Sequence, residues 1–94
     1  MHELVLTPKF ERAFRRLVGK NPRLQPQIEQ TLRRMSENLS HPSLKTHHLS
    51  GPLAGLHACS VTYACRIVFL RQKNPKTGAE VLLLVNLGSH EEVY

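Results

Sequence analysis

An imidazole and a phenol close this chain, in the segment Gly88-Ser89-His90-Glu91-Glu92-Val93-Tyr94. Upstream, Arg66 interrupts the otherwise apolar stretch Cys65-Arg66-Ile67-Val68-Phe69, and His47 and His48 stand side by side in a polar stretch before it. Cutting a phosphodiester through a neighbouring hydroxyl needs three groups: a base to take the hydroxyl proton, a cation to stabilise the phosphorane, and an acid to protonate the leaving oxygen. Histidine suits either proton-transfer role because its ordinary pKa, about 6.5, lies near cellular pH. Arginine suits the middle role because its fork donates two hydrogen bonds to phosphate and does not deprotonate. His47, His48, Arg66, His90 and Tyr94 are therefore the candidate catalytic residues. Spacing does not show that they converge, and three histidines compete for the base.

Each has a plainer alternative. Arg66 could form an ion pair with Glu80, His90 could be a surface residue of the tail, and Tyr94 could simply fasten the tail to the body. Of the adjacent His47 and His48, one faces any given side. His57 reads as strand packing or surface, and His2 and His41 as incidental.

Other chemistries fit less well. Six histidines and two cysteines raise the question of a metal, but the chain has no C-x-x-C, no H-E-x-x-H and no acidic cluster. All seven acidic residues are glutamates, which removes aspartate as an anchor for magnesium and leaves no Ser-His-Asp set. No glycine-rich phosphate loop is present. The expectation is a reaction without metal or cofactor.

Ninety-four residues make one domain, spanning 1–94, with one modest core. An open cleft or concave face then favours a macromolecular ligand. The formal charge of +6 points to a polyanion or an acidic partner. Nine of the thirteen basic residues precede residue 51. Among them Arg12, Arg15, Arg16, Arg33, Arg34 and Lys45 are candidate RNA contacts, although solvated helix faces explain most of them individually. The absence of Trp, with two Tyr and three Phe, leaves little for a broad base-stacking platform. No apolar run approaches the ~18 residues a membrane span needs, and residues 1–7 are too short and polar for a signal segment. Cys59 and Cys65 read as reduced core residues of a cytoplasmic protein.

These residues need a scaffold. Residues 2–6 read as a short strand. Thr7-Pro8 starts a helix with a hydroxyl cap and a proline at the first position. Phe10, Ala13, Phe14, Leu17 and Val18 form its apolar stripe, and Gly19 is its expected end. A second helix carries Pro26 in its first turn and the stripe Ile28, Leu32, Met35, Leu39. Residues 40–52 read as loop. Strands are expected over 55–62, 64–71 and 80–87, with a turn near Thr62-Tyr63 and a polar loop over 72–79. The run Val81-Leu82-Leu83-Leu84-Val85-Asn86-Leu87 is apolar enough for a central strand. The expected fold is α+β, in the order β-α-α-β-β-β: a two-helix hairpin packed on one face of a mainly antiparallel four-stranded sheet. If Cys65, Ile67 and Phe69 face the helices, Arg66 faces the uncovered side.

The chain resembles the RelE/ParE superfamily of bacterial type II toxins, and within it the YafQ/RelE-like messenger RNA interferases. The resemblance covers nearly the whole chain. It rests on Thr7-Pro8-Lys9-Phe10 with the two helices, His47-His48-Leu49-Ser50-Gly51 before Gly55, the Cys65–Phe69 strand and, most specifically, the closing Gly88–Tyr94 segment. It implies an endoribonuclease that enters the ribosome and cuts messenger RNA during translation, and a cognate antitoxin that wraps and neutralises it. By position, Arg66 matches the family's strand arginine, His90 its near-terminal histidine, Tyr94 its terminal aromatic and His47 its loop histidine. The chain departs from YafQ-like members where Ser60 and Ala64 stand approximately in place of a further histidine and an aspartate. The resemblance also admits a ParE-like toxin that inhibits DNA gyrase without cutting RNA, or a weakened toxin that acts only as an antitoxin-binding module.

Overall fold

A computed structural model describes residues 2–94. Strand β1 (Glu3–Leu6) leads into helix α1 (Pro8–Lys20). Thr7 caps α1, its Oγ1 accepting from the Phe10 amide at 3.2 Å while donating to the Leu84 carbonyl at 2.8 Å. One hydroxyl thus starts the helix and ties the junction to the sheet. Helix α1 continues one residue past Gly19 and is capped by Asn21, because the amide of Asn21 reaches the Leu17 carbonyl without a left-handed residue. Helix α2 (Leu24–Glu37) holds Pro26 within its first turn, as expected from the missing amide hydrogen.

The stretch after α2 is more structured than a loop. It contains two 3-10 turns, Pro42–Leu44 and Gly51–Leu53, and between them a two-residue strand β2 (His47–His48). Strands β3 (His57–Thr62), β4 (Cys65–Lys73) and β5 (Glu80–Gly88) follow, and a short helix α3 (His90–Val93) closes the chain. The sheet therefore has five strands rather than four, in the order β1-β5-β4-β3-β2. Four of these form antiparallel neighbours, and β1 pairs parallel with β5. Strand β2 escapes sequence reading because two polar residues carry no period.

Both helices cover one face. Phe10, Ala13, Ile28 and Met35 pack there on Cys59, Cys65, Ile67, Phe69, Leu82, Leu84 and Leu87. Strand alternation is interrupted in β5. Val68 pairs with Asn86 but Phe69 pairs with Leu84, so Val85 is an extra residue, a β-bulge. The bulge lets Leu84 and Leu87, three apart, both face the helices. A smaller cluster of Ala58, Val68 and Val93, flanked by Leu49 and Leu56, lies on the other face. It seats α3 against the sheet.

Both thiols are free and buried on the helix side. Cys59 pairs in register with Ile67 rather than with Cys65, and its Sγ lies 3.5 Å from Met35 Sδ. Burial pushes the Cys59 pKa up to about 12 and that of Cys65 to about 11.

Candidate active site

Arg66 lies on the helix-free face. Its neighbours Cys65 and Ile67 are in the helix-side core, and Val68, on the same side as Arg66, belongs to the small cluster under Val93. Its Nη1 donates to Ser60 Oγ across the β3–β4 pair, where the two residues stand opposite each other. Glu80, the alternative partner, is taken by Arg71 through two hydrogen bonds of 3.0 Å. Arg66 is thus held by a neutral hydroxyl and, among the described residues, forms no ion pair with a carboxylate.

Opposite Arg66 on β5 stands Gly88. The chain leaves the sheet there and α3 folds back over the same face. The four residues of α3 hold their shape through a capping box. Glu92 N donates to Ser89 Oγ at 3.3 Å, Ser89 N donates to Glu92 Oε1 at 2.9 Å, and Arg16 Nη2 reaches Glu92 Oε2 at 3.2 Å. These bonds, the backbone one from Ser89 first, lower the Glu92 pKa. Val93, 7% exposed, anchors the turn in the small cluster. His90 and Tyr94 result as a pair, ring centroids 4.5 Å apart in an edge-to-face arrangement. Burial raises the Tyr94 pKa, and the Arg66 guanidinium acts in the opposite direction, so the two groups sense each other. The phenol stays protonated and can donate.

The two loop histidines part company. His47 pairs with Ala58 and so shares the Arg66 face, whereas His48 pairs with His57 and shares the helix side. His48 stacks at 4.3 Å on His57, which in turn stacks at 5.5 Å on the core residue Phe69. The structure therefore separates His48 from the other candidates. From strand spacing and rise, the Cα atoms of His47 and Arg66 lie ~12 Å apart, two strands over and one row along, a gap a ribose-phosphate linkage can fill. His47 Nδ1 is 2.9 Å from the Lys45 carbonyl. A carbonyl only accepts, so Nδ1 carries the proton and Nε2 is left with its lone pair. Lys45 turns its carbonyl this way by adopting a left-handed conformation, φ 49°.

The basic helix residues differ among themselves. Arg12, Arg15 and Arg33 are exposed, as is Lys45. Arg16 is engaged with Glu92, and Arg34 donates to Ser43 Oγ at 3.1 Å. Sequence reading overlooked Ser60 as the seat of Arg66 and Ser89 and Glu92 as the clamp on α3. The clamp was findable, since Ser89-His90-Glu91-Glu92 has capping-box spacing. Among the described residues no group of three or more His, Cys, Asp or Glu is arranged to hold a metal, and no helix is long and apolar enough to cross a membrane.

No family model and no curated protein matches the sequence. Solved structures do. YafQ from E. coli strain BL21(DE3) superposes with a TM-score of 0.79 at 14% identity, covering 100% of this chain and 99% of that one. A YoeB/ParE toxin from Agrobacterium tumefaciens gives 0.75 at 18% identity, covering 94% and 98%. A metal-bound toxin from Helicobacter pylori gives 0.71 at 26% identity, covering all of both chains. The fold is the one that these YafQ, YoeB/ParE and Helicobacter pylori toxin structures share. Each of the three is matched over nearly the full length of this chain.

Proposed function

We propose that the protein is the toxin of a type II toxin–antitoxin pair and an endoribonuclease that cuts messenger RNA on the ribosome. The observation that carries this reading is the gathering of Arg66, His90 and Tyr94 on the helix-free face, with His47 on the same side. In the proposed reaction His47 Nε2 takes the 2′-hydroxyl proton and the 2′-oxygen attacks phosphorus. Arg66, seated on Ser60, stabilises the added negative charge. His90, in its protonated form, gives a proton to the departing 5′-oxygen. Tyr94 orients His90 through the ring contact and donates to, or stacks on, the substrate. None of these steps calls for a metal.

Neither long helix covers this face, which suits an RNA strand presented by a larger particle. Exposed Arg12, Arg15 and Arg33 would meet ribosomal RNA phosphates. A partner of the antitoxin kind is supported by the fold's occurrence in the E. coli DinJ–YafQ toxin–antitoxin complex, matched at a TM-score of 0.72 and 12% identity. A cytoplasmic location belongs to the same proposal, since that is where translation occurs.

The test is to express Arg66→Ala and His90→Ala from a repressed promoter and to map messenger RNA ends in a translating lysate. Loss of cleavage and of growth arrest in both, with unchanged circular dichroism, is expected. Undiminished growth arrest in both, accompanied by a DNA supercoiling defect, would overturn the nuclease reading.

A further inference from the structure

A second polar cavity, about 660 Å³, opens on the helix side of the sheet, where the helices stop short of the β2 edge. His41, His48 and His57 line it together with Lys45 and Arg71. His2 enters from β1 and His47 from the rim. Glu37, at the end of α2, is the carboxylate in its lining, and Glu80, behind the lining, holds Arg71 and lies 3.8 Å from His2. Lys73 pairs in register with Glu80 at the far margin. We propose that this cavity is a phosphate-binding site that fills as its imidazoles gain protons.

Three features select an anion over a cation. The imidazoles are too dispersed to ligate one metal ion, as no group of three is so arranged among the described residues. Lys45 and Arg71 place fixed positive charge where a cation would sit. Against Glu37 and Glu80 stand Lys45, Arg71 and, at the margin, Lys73, so the fixed charge here favours an anion and each imidazolium adds to it. Each imidazolium offers two N–H donors, and phosphate accepts several such bonds at once. His48 and His57, with ring centroids 4.3 Å apart, repel each other when both are charged. An anion between or beside them relieves that repulsion, which couples binding to proton uptake. The fit is to a phosphate group, either of a free phosphomonoester or of an RNA backbone. The cavity lies on the opposite face of the sheet from Arg66 and meets the residues of the nuclease reading only at its rim, where His47 and Lys45 stand.

The experiment follows the histidine ring signals by ¹H–¹⁵N NMR at one pH unit below and one above histidine's ordinary ~6.5, in matched chloride. Inorganic phosphate is the first probe, then a mononucleotide, then a short oligoribonucleotide without terminal phosphates carrying 2′-methoxy groups to prevent cleavage. Inorganic phosphate is expected to move the His48 and His57 signals saturably at the lower pH and at least tenfold more weakly at the higher. His57→Gln and Arg71→Gln, each checked for folding by its amide spectrum, are expected to weaken the response fivefold or more. A stronger response to the oligonucleotide than to phosphate identifies backbone phosphates as the source, and the reverse identifies monoesters. Signals that do not move at the lower pH, or a wild-type response that both variants reproduce, would overturn the proposal.

Discussion

At the scale of single residues, the site depends on two unusual provisions. Arg66 rests on a hydroxyl rather than a carboxylate, which leaves its charge open to an anion such as the phosphate of the proposed substrate. Replacing it with lysine keeps the charge but loses the planar fork. Arg66→Lys is expected to fold normally and to lose about 100-fold or more in cleavage rate, the scale of one lost donor at a developing oxyanion; single-turnover kinetics on ribosome-bound messenger RNA measure this. Lys45 is the second provision. Its left-handed backbone aims the carbonyl that fixes the His47 tautomer. Lys45→Gly accepts that backbone freely and is expected to stay within ~1 kcal/mol of wild type while keeping cleavage. Lys45→Val meets a steric penalty of about 1–2 kcal/mol there and is expected to lose both stability and the His47 anchor. Urea unfolding alongside the cleavage assay separates the two.

At the scale of elements, α3 is the decisive piece, because four residues with few internal bonds cannot hold a helix alone. It stands on the Ser89–Glu92 box, the Arg16 bond and the Val93 anchor. A Cβ added at Gly88 would meet the Glu92 side chain at 3.0–3.3 Å. Gly88→Ala is expected to push Glu92 out of the box, lower cleavage by ten-fold or more and sharpen the His90 and Tyr94 ring signals through added mobility, while the sheet's amide protection is retained. Unchanged ring signals would contradict this role for Gly88.

The elements also show where sequence reading succeeds. The α1 stripe from Phe10 to Val18, the Thr7-Pro8 start and the apolar β5 were legible because period and cap chemistry are local. The side of the sheet taken by Arg66 followed from alternation with Cys65 and Ile67. Strand β2 was not legible, since His47-His48 acquires its strand geometry from pairing with Ala58 and His57 further along the chain. The division of those histidines between two faces was hidden for the same reason. The partner of Glu80 turned on the β4–β5 register, which sets Lys73 opposite it and Arg71 on the diagonal, with Arg66 at the other end of the strand opposite Gly88.

At the scale of the whole molecule, one sheet carries two polar regions on opposite sides, one with Arg66 and one with the histidine cavity. Their pH behaviour bears on stability. Burial first, then His48 and Arg71, lower the His57 pKa, with Glu80 opposing. A lowered folded value means that the unfolded chain takes up the proton more readily. The associated stability is full above the ordinary value near ~6.5 and is lost as pH falls through it towards the folded value. The urea midpoint, in buffer without phosphate, is expected to fall over that interval in wild type and to fall less in His57→Gln. An equal slope in the two would assign the loss to other groups.

Val85, the supernumerary residue of β5, acts as a phase shift. Upstream of it, even-numbered side chains such as Leu82 and Leu84 enter the core; downstream, the odd-numbered Leu87 does. Excising Val85 would restore strict alternation and leave Leu84, Asn86 and Leu87 in the inward, outward, inward order that already pairs them with Phe69, Val68 and Ile67. The shortened strand would keep Leu87 in the core and the tail on the Arg66 face, so what the molecule would lose is the extra local twist that a bulge adds beside its closing segment.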